Sequence, residues 1–86
     1  MRVRIPGPLR SYTSDAALVS ADGTTLAQVL DDLDRQFPGI RFRVIDEHGG
    51  IRRHIRFFVD ATSVPDIGAD ISAGDELMIV CALSGG

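Results

Sequence analysis

The sequence predicts an α+β domain: one mixed sheet of four to five strands, covered on one face by one main helix. Three observations carry this expectation. A single stretch has helical apolar spacing, short alternating segments flank it on both sides, and the last apolar segment has no polar face at all.

Arg2, Val3, Arg4 and Ile5 alternate polar and apolar, so Val3 and Ile5 share one face of a short strand that Pro6-Gly7-Pro8 ends. Residues 16–19 read as a second strand returning as a hairpin, with Asp22-Gly23 as the next turn. Leu26, Val29, Leu30, Leu33 and Phe37 then form one stripe of an amphipathic helix. Thr25 and Gln28 have capping-box spacing at its start, and Pro38-Gly39 stops it. Asp31, Asp32 and Asp34 lie off the stripe and are expected in solvent. Residues 42–45 read as a short strand, 46–50 as a turn, and 51–60 as a long strand. In that long strand Ile55, Phe57 and Val59 share one face and His54, Arg56 and Phe58 the other. Residues 65–73 read as a loop and 76–82 as the final strand, which belongs in mid-sheet because it is apolar on both faces. If the first and last strands are neighbours they run parallel, and the arrangement is the ubiquitin-like β-grasp. The expected organisation is a folded body over residues 1–81 and a flexible diglycine tail over 82–86.

Bulk properties narrow the function. Eighty-six residues allow one domain, and a chain of this length buries only about 60 to 65% of its unfolded surface. The net charge of -3 argues against nucleic acid as the main partner, since phosphate binding calls for a basic surface. One cysteine permits no internal disulfide. The first ten residues lack the apolar core of a signal peptide, and the apolar run at 77–83 is too short to cross a membrane. The expectation is a cytoplasmic protein, monomeric when free. All nine basic residues are arginine, so no side chain of this chain can form an amide with an activated carboxylate.

Several motifs resemble those of the MoaD/ThiS family of small ubiquitin-like sulfur carriers. They are Pro8-Leu9-Arg10-Ser11-Tyr12-Thr13 after the first strand, Gly23-Thr24-Thr25-Leu26 opening the helix and Phe37-Pro38-Gly39-Ile40 closing it. Gly74-Asp75-Glu76-Leu77 precedes the last strand, and Gly85-Gly86 stands at the end. Each is weak alone; their order over nearly the whole chain is specific. The long segment from 38 to 60 resembles CysO-type carriers, or MoaD-type ones, more than ThiS proper. Asp60 replaces an asparagine frequent in such carriers, and Cys81-Ala82 replaces prolines frequent before molybdopterin-type tails.

The resemblance implies a sulfur carrier rather than an enzyme, with no bound cofactor. An E1-like adenylyltransferase/sulfurtransferase would use ATP to adenylate the Gly86 carboxylate, and sulfur would displace AMP to leave a thiocarboxylate. The sulfur would go to cysteine, molybdopterin, thiamine or a secondary metabolite, through an acceptor that is cysteine synthase-like or a molybdopterin synthase large subunit of which this chain would be the small partner. The alternative is a ubiquitin-like modifier joined through Gly86 to lysines of other proteins. The residue types suit the chemistry: a terminal carboxylate, with a pKa of about 3.3 to 3.7, is ionised at neutral pH and able to attack the α-phosphate. Glycine at 85 and 86, with Ser84 before it, lets the tail pass a narrow channel. Extended, residues 82–86 reach roughly 16 Å.

If Leu77 and Ile79 face the helix, Met78 and Val80 face outward, where Phe58 joins them as a candidate docking patch. Cys81 reads as a small buried hydrophobe rather than a nucleophile. His48 and His54 lack the spacing and second cysteine of a metal site and read as solvated. Residues 40–58 carry a charge of +3 against -6 elsewhere, with phenylalanines interleaved. Such a run is more often a solvated face, or a docking patch for an acidic protein, than an RNA-binding face.

Overall fold

A computed structural model describes residues 1–82. The elements in order are β1 (Arg2–Arg4), a 3-10 turn (Gly7–Leu9), β2 (Leu18–Ser20), α1 (Leu26–Gln36), α2 (Ile40–Val44), β3 (Ile55–Val59), β4 (Thr62–Ser63) and β5 (Glu76–Cys81). The five strands form one sheet in the order β2-β1-β5-β3-β4. β5 is the middle strand, parallel to β1 (Val3 beside Leu77) and antiparallel to β3 (Phe57 beside Ile79). This is the expected β-grasp.

α1 follows its stripe: Leu26, Val29, Leu30 and Leu33 are fully buried against the sheet. Thr25 Oγ1 accepts from the Gln28 N–H at 3.2 Å, and Gln28 Oε1 accepts in return from the N–H groups of Thr24 and Thr25. Three otherwise unpaired donors at the helix start are thereby satisfied. Gly23 lies against this cap. A Cβ at that position would stand 2.7 Å from the Val29 nitrogen and 2.8 Å from the Gln28 carbonyl carbon. These are helix backbone atoms that cannot turn aside. Gly23→Ala is expected to lower stability by roughly 1–3 kcal/mol, the usual cost of overpacking, read as a lower urea midpoint.

The stretch from 40 to 60 departs from expectation. Residues 42–45 are not a strand: α2 occupies Ile40–Val44. Ile40 and Val44, one helical turn apart, are buried, whereas Phe42 is 58% exposed. Alternation would have buried Phe42 with Val44. Asp34 starts α2 by accepting the N–H groups of Gly39 at 3.1 Å and Arg41 at 3.0 Å, so it is not simply solvated. Asp32 likewise accepts from the Asp22 N–H and from Arg35. The long strand begins only at Ile55; Ile51 instead forms an isolated bridge with Ile45. β2 starts two residues later than expected, pairing Val19 with Val3.

β4 has no counterpart in the sequence reading. It pairs with β3 across a two-residue loop, Asp60-Ala61, both at positive φ (47° and 74°). A tight hairpin requires this geometry, which usually selects glycine or asparagine. The Asp60 carboxylate then accepts the N–H groups of Asp75 at 3.0 Å and Glu76 at 3.2 Å, tying the hairpin to the start of β5.

Candidate functional site

On the side of the sheet away from α1, the pleat of β5 exposes Met78 and half-exposes Val80, while Leu77 and Ile79 point into the core. Met78 is flanked by Arg4 on β1 and Phe58 on β3; Val80 stands beside Arg56. The three candidate docking residues Phe58, Met78 and Val80 therefore lie together on the open face. Nearer the first turn of the chain, Met78, Val80 and Cys81 form one wall of a groove of about 360 Å³, and Pro6, Gly7 and Pro8 form the other. The groove exists because β1 ends at Arg4 whereas β5 runs on to Cys81. Arg4 makes two 3.2 Å contacts with Glu76 across the two strands, with both groups in solvent. Such a pair orders the face more than it stabilises the fold.

The sheet ends where Ala82 N–H donates to the His54 carbonyl at 2.7 Å, next to the Ile55–Cys81 pair. The candidate sulfur-carrying residue Gly86, with Gly85 and Ser84, lies outside the described residues. Cys81 is half-buried on the core side and packs against it. Burial pushes its thiol pKa up, and nearby Arg43 only partly opposes this. A thiol so placed stays protonated at neutral pH and is a poor nucleophile. His48 and His54 are exposed, and no cluster of metal-ligating side chains occurs among the described residues. Another hollow, of about 390 Å³, lies between the β3–β4 hairpin and residues 69–74, at the opposite end of β5. It contains none of the candidate residues. Among the described residues no helix is long and apolar enough to cross a membrane.

Two placements are not legible in the sequence: the proline wall of the groove, and Asp60 as the tie between the β3–β4 hairpin and β5. Pro6-Gly7-Pro8 reads only as a strand terminator, and nothing local shows it flanking the last strand. Other aspartates also serve the backbone. Asp46 accepts the N–H groups of Gly50 and His48, both at 2.9 Å, and Asp70 accepts the hydroxyl and N–H of Ser72. These bonds favour the ionised form and hold both carboxyls below the usual range. The Asp22 N–H, followed by Arg35, does the same for Asp32. In the unfolded chain the three would titrate near 3.9, approximately the free-aspartate value. Folded pKa values below unfolded ones give stability that is present above the unfolded value and lost as pH falls through the folded ones. The urea midpoint is thus expected to fall with pH in the acid range below the unfolded value, and less steeply in Asp46→Asn, which keeps an acceptor without the charge.

A parallel first–last strand pair in mid-sheet, one main helix beneath, and an open face leading to the end of the last strand define a ubiquitin-like β-grasp protein. The chain belongs to the ThiS family, whose sequence model matches residues 3–86. It is 35% identical over 89 residues to the sulfur carrier protein CysO of Mycobacterium tuberculosis, covering 98% of this chain and 96% of that protein. Its structure is similar to a chain of the Amycolatopsis orientalis BexX/CysO complex, with a TM-score of 0.90, 32% identity and coverage of 99% and 98%. SAMP1 from Haloferax volcanii is a more distant neighbour, with a TM-score of 0.75, 26% identity and coverage of 99% and 97%. The chain is thus a ThiS/MoaD-like protein of the CysO type.

Proposed function

We infer that this chain is a sulfur carrier of the CysO type, acting as a co-substrate and not as an enzyme. The observation that carries the reading is the match, over nearly the full length of both chains, to a sulfur carrier protein. An E1-like enzyme would hold ATP while the Gly86 carboxylate attacks the α-phosphate and releases pyrophosphate. A sulfide sulfur would then attack the carbonyl carbon, expel AMP and leave a thiocarboxylate for a sulfur-accepting enzyme. The carrier's own part is to present an unhindered carboxyl group and to dock. Fixing a backbone in one conformation costs about 1 to 2 kcal/mol per residue. That cost must be offset by contacts of the body, and the exposed face of Phe58, Met78 and Val80 with its neighbouring groove is the apolar surface available for them. With one cysteine the chain forms no internal disulfide, which suits a reducing cytoplasm.

The test is intact mass spectrometry of the carrier after incubation with an E1-like enzyme, ATP and a sulfide source. The expected product is heavier by the replacement of one oxygen with sulfur, and an alkylating reagent traps it. Covalent adducts to other proteins with no sulfur-bearing form would instead favour the modifier reading, for which SAMP1 is the structural neighbour. Neither product would refute both.

A further inference from the structure

We propose that a cluster of arginines beside the end of β5 is a second docking surface, fitted to an acidic protein surface around the opening through which the activating enzyme takes the tail. The proposal rests on the carrier reading above. Phe42, Arg43, Arg52 and His54 line one hollow of about 300 Å³; Arg53 follows Arg52 in the chain, and Arg56, on β3 beside Val80, donates to the Arg53 carbonyl. Arg43, Arg53 and Arg56 are exposed. None of the four arginines has a carboxylate partner among the described residues; of the other five, Arg2, Arg4, Arg35 and Arg41 have one, and Arg10 donates instead to the Ile5 carbonyl. The nearby Asp46 feels the charge of Arg52 but forms no ion pair with it; one of its oxygens accepts two backbone N–H groups of its own loop.

Position supplies the second argument. The hydrogen bond from Ala82 to the His54 carbonyl and the Ile55–Cys81 pair place residues 52–56 directly against the point where the chain leaves the sheet. A protein that docks at Ala82 therefore also meets residues 52–56. The chain as a whole carries -3, yet residues 40–58 carry +3. An acidic partner is repelled by most of the molecule and attracted at one place, so the field orients the carrier with its tail forward.

The same arginines do not make a good site for RNA. The only strongly exposed phenylalanine, Phe42, is covered by Arg52, whose guanidinium lies 4.6 Å from the ring centroid. Arg52 is held there by a 2.7 Å bond from its Nε to the Phe42 carbonyl. One face of that ring is thereby taken, and a single remaining face is less than the run of stacking platforms that single-stranded nucleic acid uses.

The experiment measures thiocarboxylate formation by the E1-like enzyme as a function of carrier concentration, at several salt concentrations. Arg43 and Arg53 make no side-chain hydrogen bond among the described residues, so Arg43→Glu with Arg53→Glu should leave the fold intact, checked by its urea midpoint. The expected result is a KM for carrier raised on the order of tenfold with kcat little changed, together with loss of the wild-type salt dependence. Arg43→Lys with Arg53→Lys should restore most of the affinity. Arg35→Glu, which alters charge on α1, should act far less than Arg43→Glu alone. An unchanged KM in the double Glu variant, with wild type loaded normally, overturns this proposal and leaves the carrier reading standing. A wild-type chain that takes no sulfur overturns both. Binding of a single-stranded RNA oligonucleotide that the Glu variants lose, at unchanged KM, replaces the acidic protein with nucleic acid.

Discussion

A chain lacking Gly86, or carrying one extra residue after it, is expected to fold normally and to lose at least about a hundredfold in its rate of sulfur loading. Both variants still end in a carboxylate, so the loss isolates position from chemistry. One residue of extended chain moves the reacting group by roughly 3.3 Å. Misplacement by even about 1 Å can cost on the order of a hundredfold when a nucleophile must meet its target at near-contact distance. Single-turnover loading followed by intact mass gives the rate, and circular dichroism with a urea midpoint shows the body unchanged. Loading of either variant at the wild-type rate would place the reacting carboxylate elsewhere and sink the Gly86 assignment.

Phe57→Ala is expected to remove about 3–5 kcal/mol of stability. Phe57 is the largest fully buried side chain, beside Ile79 in the sheet, and its carbonyl also receives the Val64 N–H that anchors the region after β4. A domain of this length has in total only about 4–13 kcal/mol, so the variant stands near the edge of folding at physiological temperature. Urea denaturation should show a midpoint shift far larger than that of Phe42→Ala, which trims a ring that is 58% exposed. Equal shifts would mean that the packing assigned to these two rings is wrong.

The same two phenylalanines show what the sequence made legible. Phe57 lies in a run long enough for alternation to set its face. Phe42 lies in five residues between a proline-glycine stop and a turn, too few to tell a helical turn from a strand. α1 was readable because its stripe and its capping box are both local. The central place of β5 was readable because an all-apolar strand must be covered on both sides. β4 was hidden because its hairpin turns on Asp60-Ala61, without the glycine that usually marks such loops. The outward set of Phe58, Met78 and Val80 followed from the pleat alone. The basic surface was countable but not locatable, because whether an arginine is paired depends on where the aspartates point. Asp46 uses one carboxylate oxygen on its own loop, and among the described residues no carboxylate pairs with Arg43, Arg52, Arg53 or Arg56 beside the end of β5.

The strand order has a consequence for synthesis. β1 and β2 form one hairpin, β3 and β4 another, and the two share no strand pairing until β5 lies between them. β5 is also the last of the five to leave the ribosome. A nascent chain stalled before Glu76 has two hairpins with no strand between them, and it lacks Leu77 and Ile79 of the core and Met78 and Val80 of the open face. Pairing of the two hairpins and assembly of the open face carried by Met78 and Val80 therefore come together in one late step, the synthesis of β5.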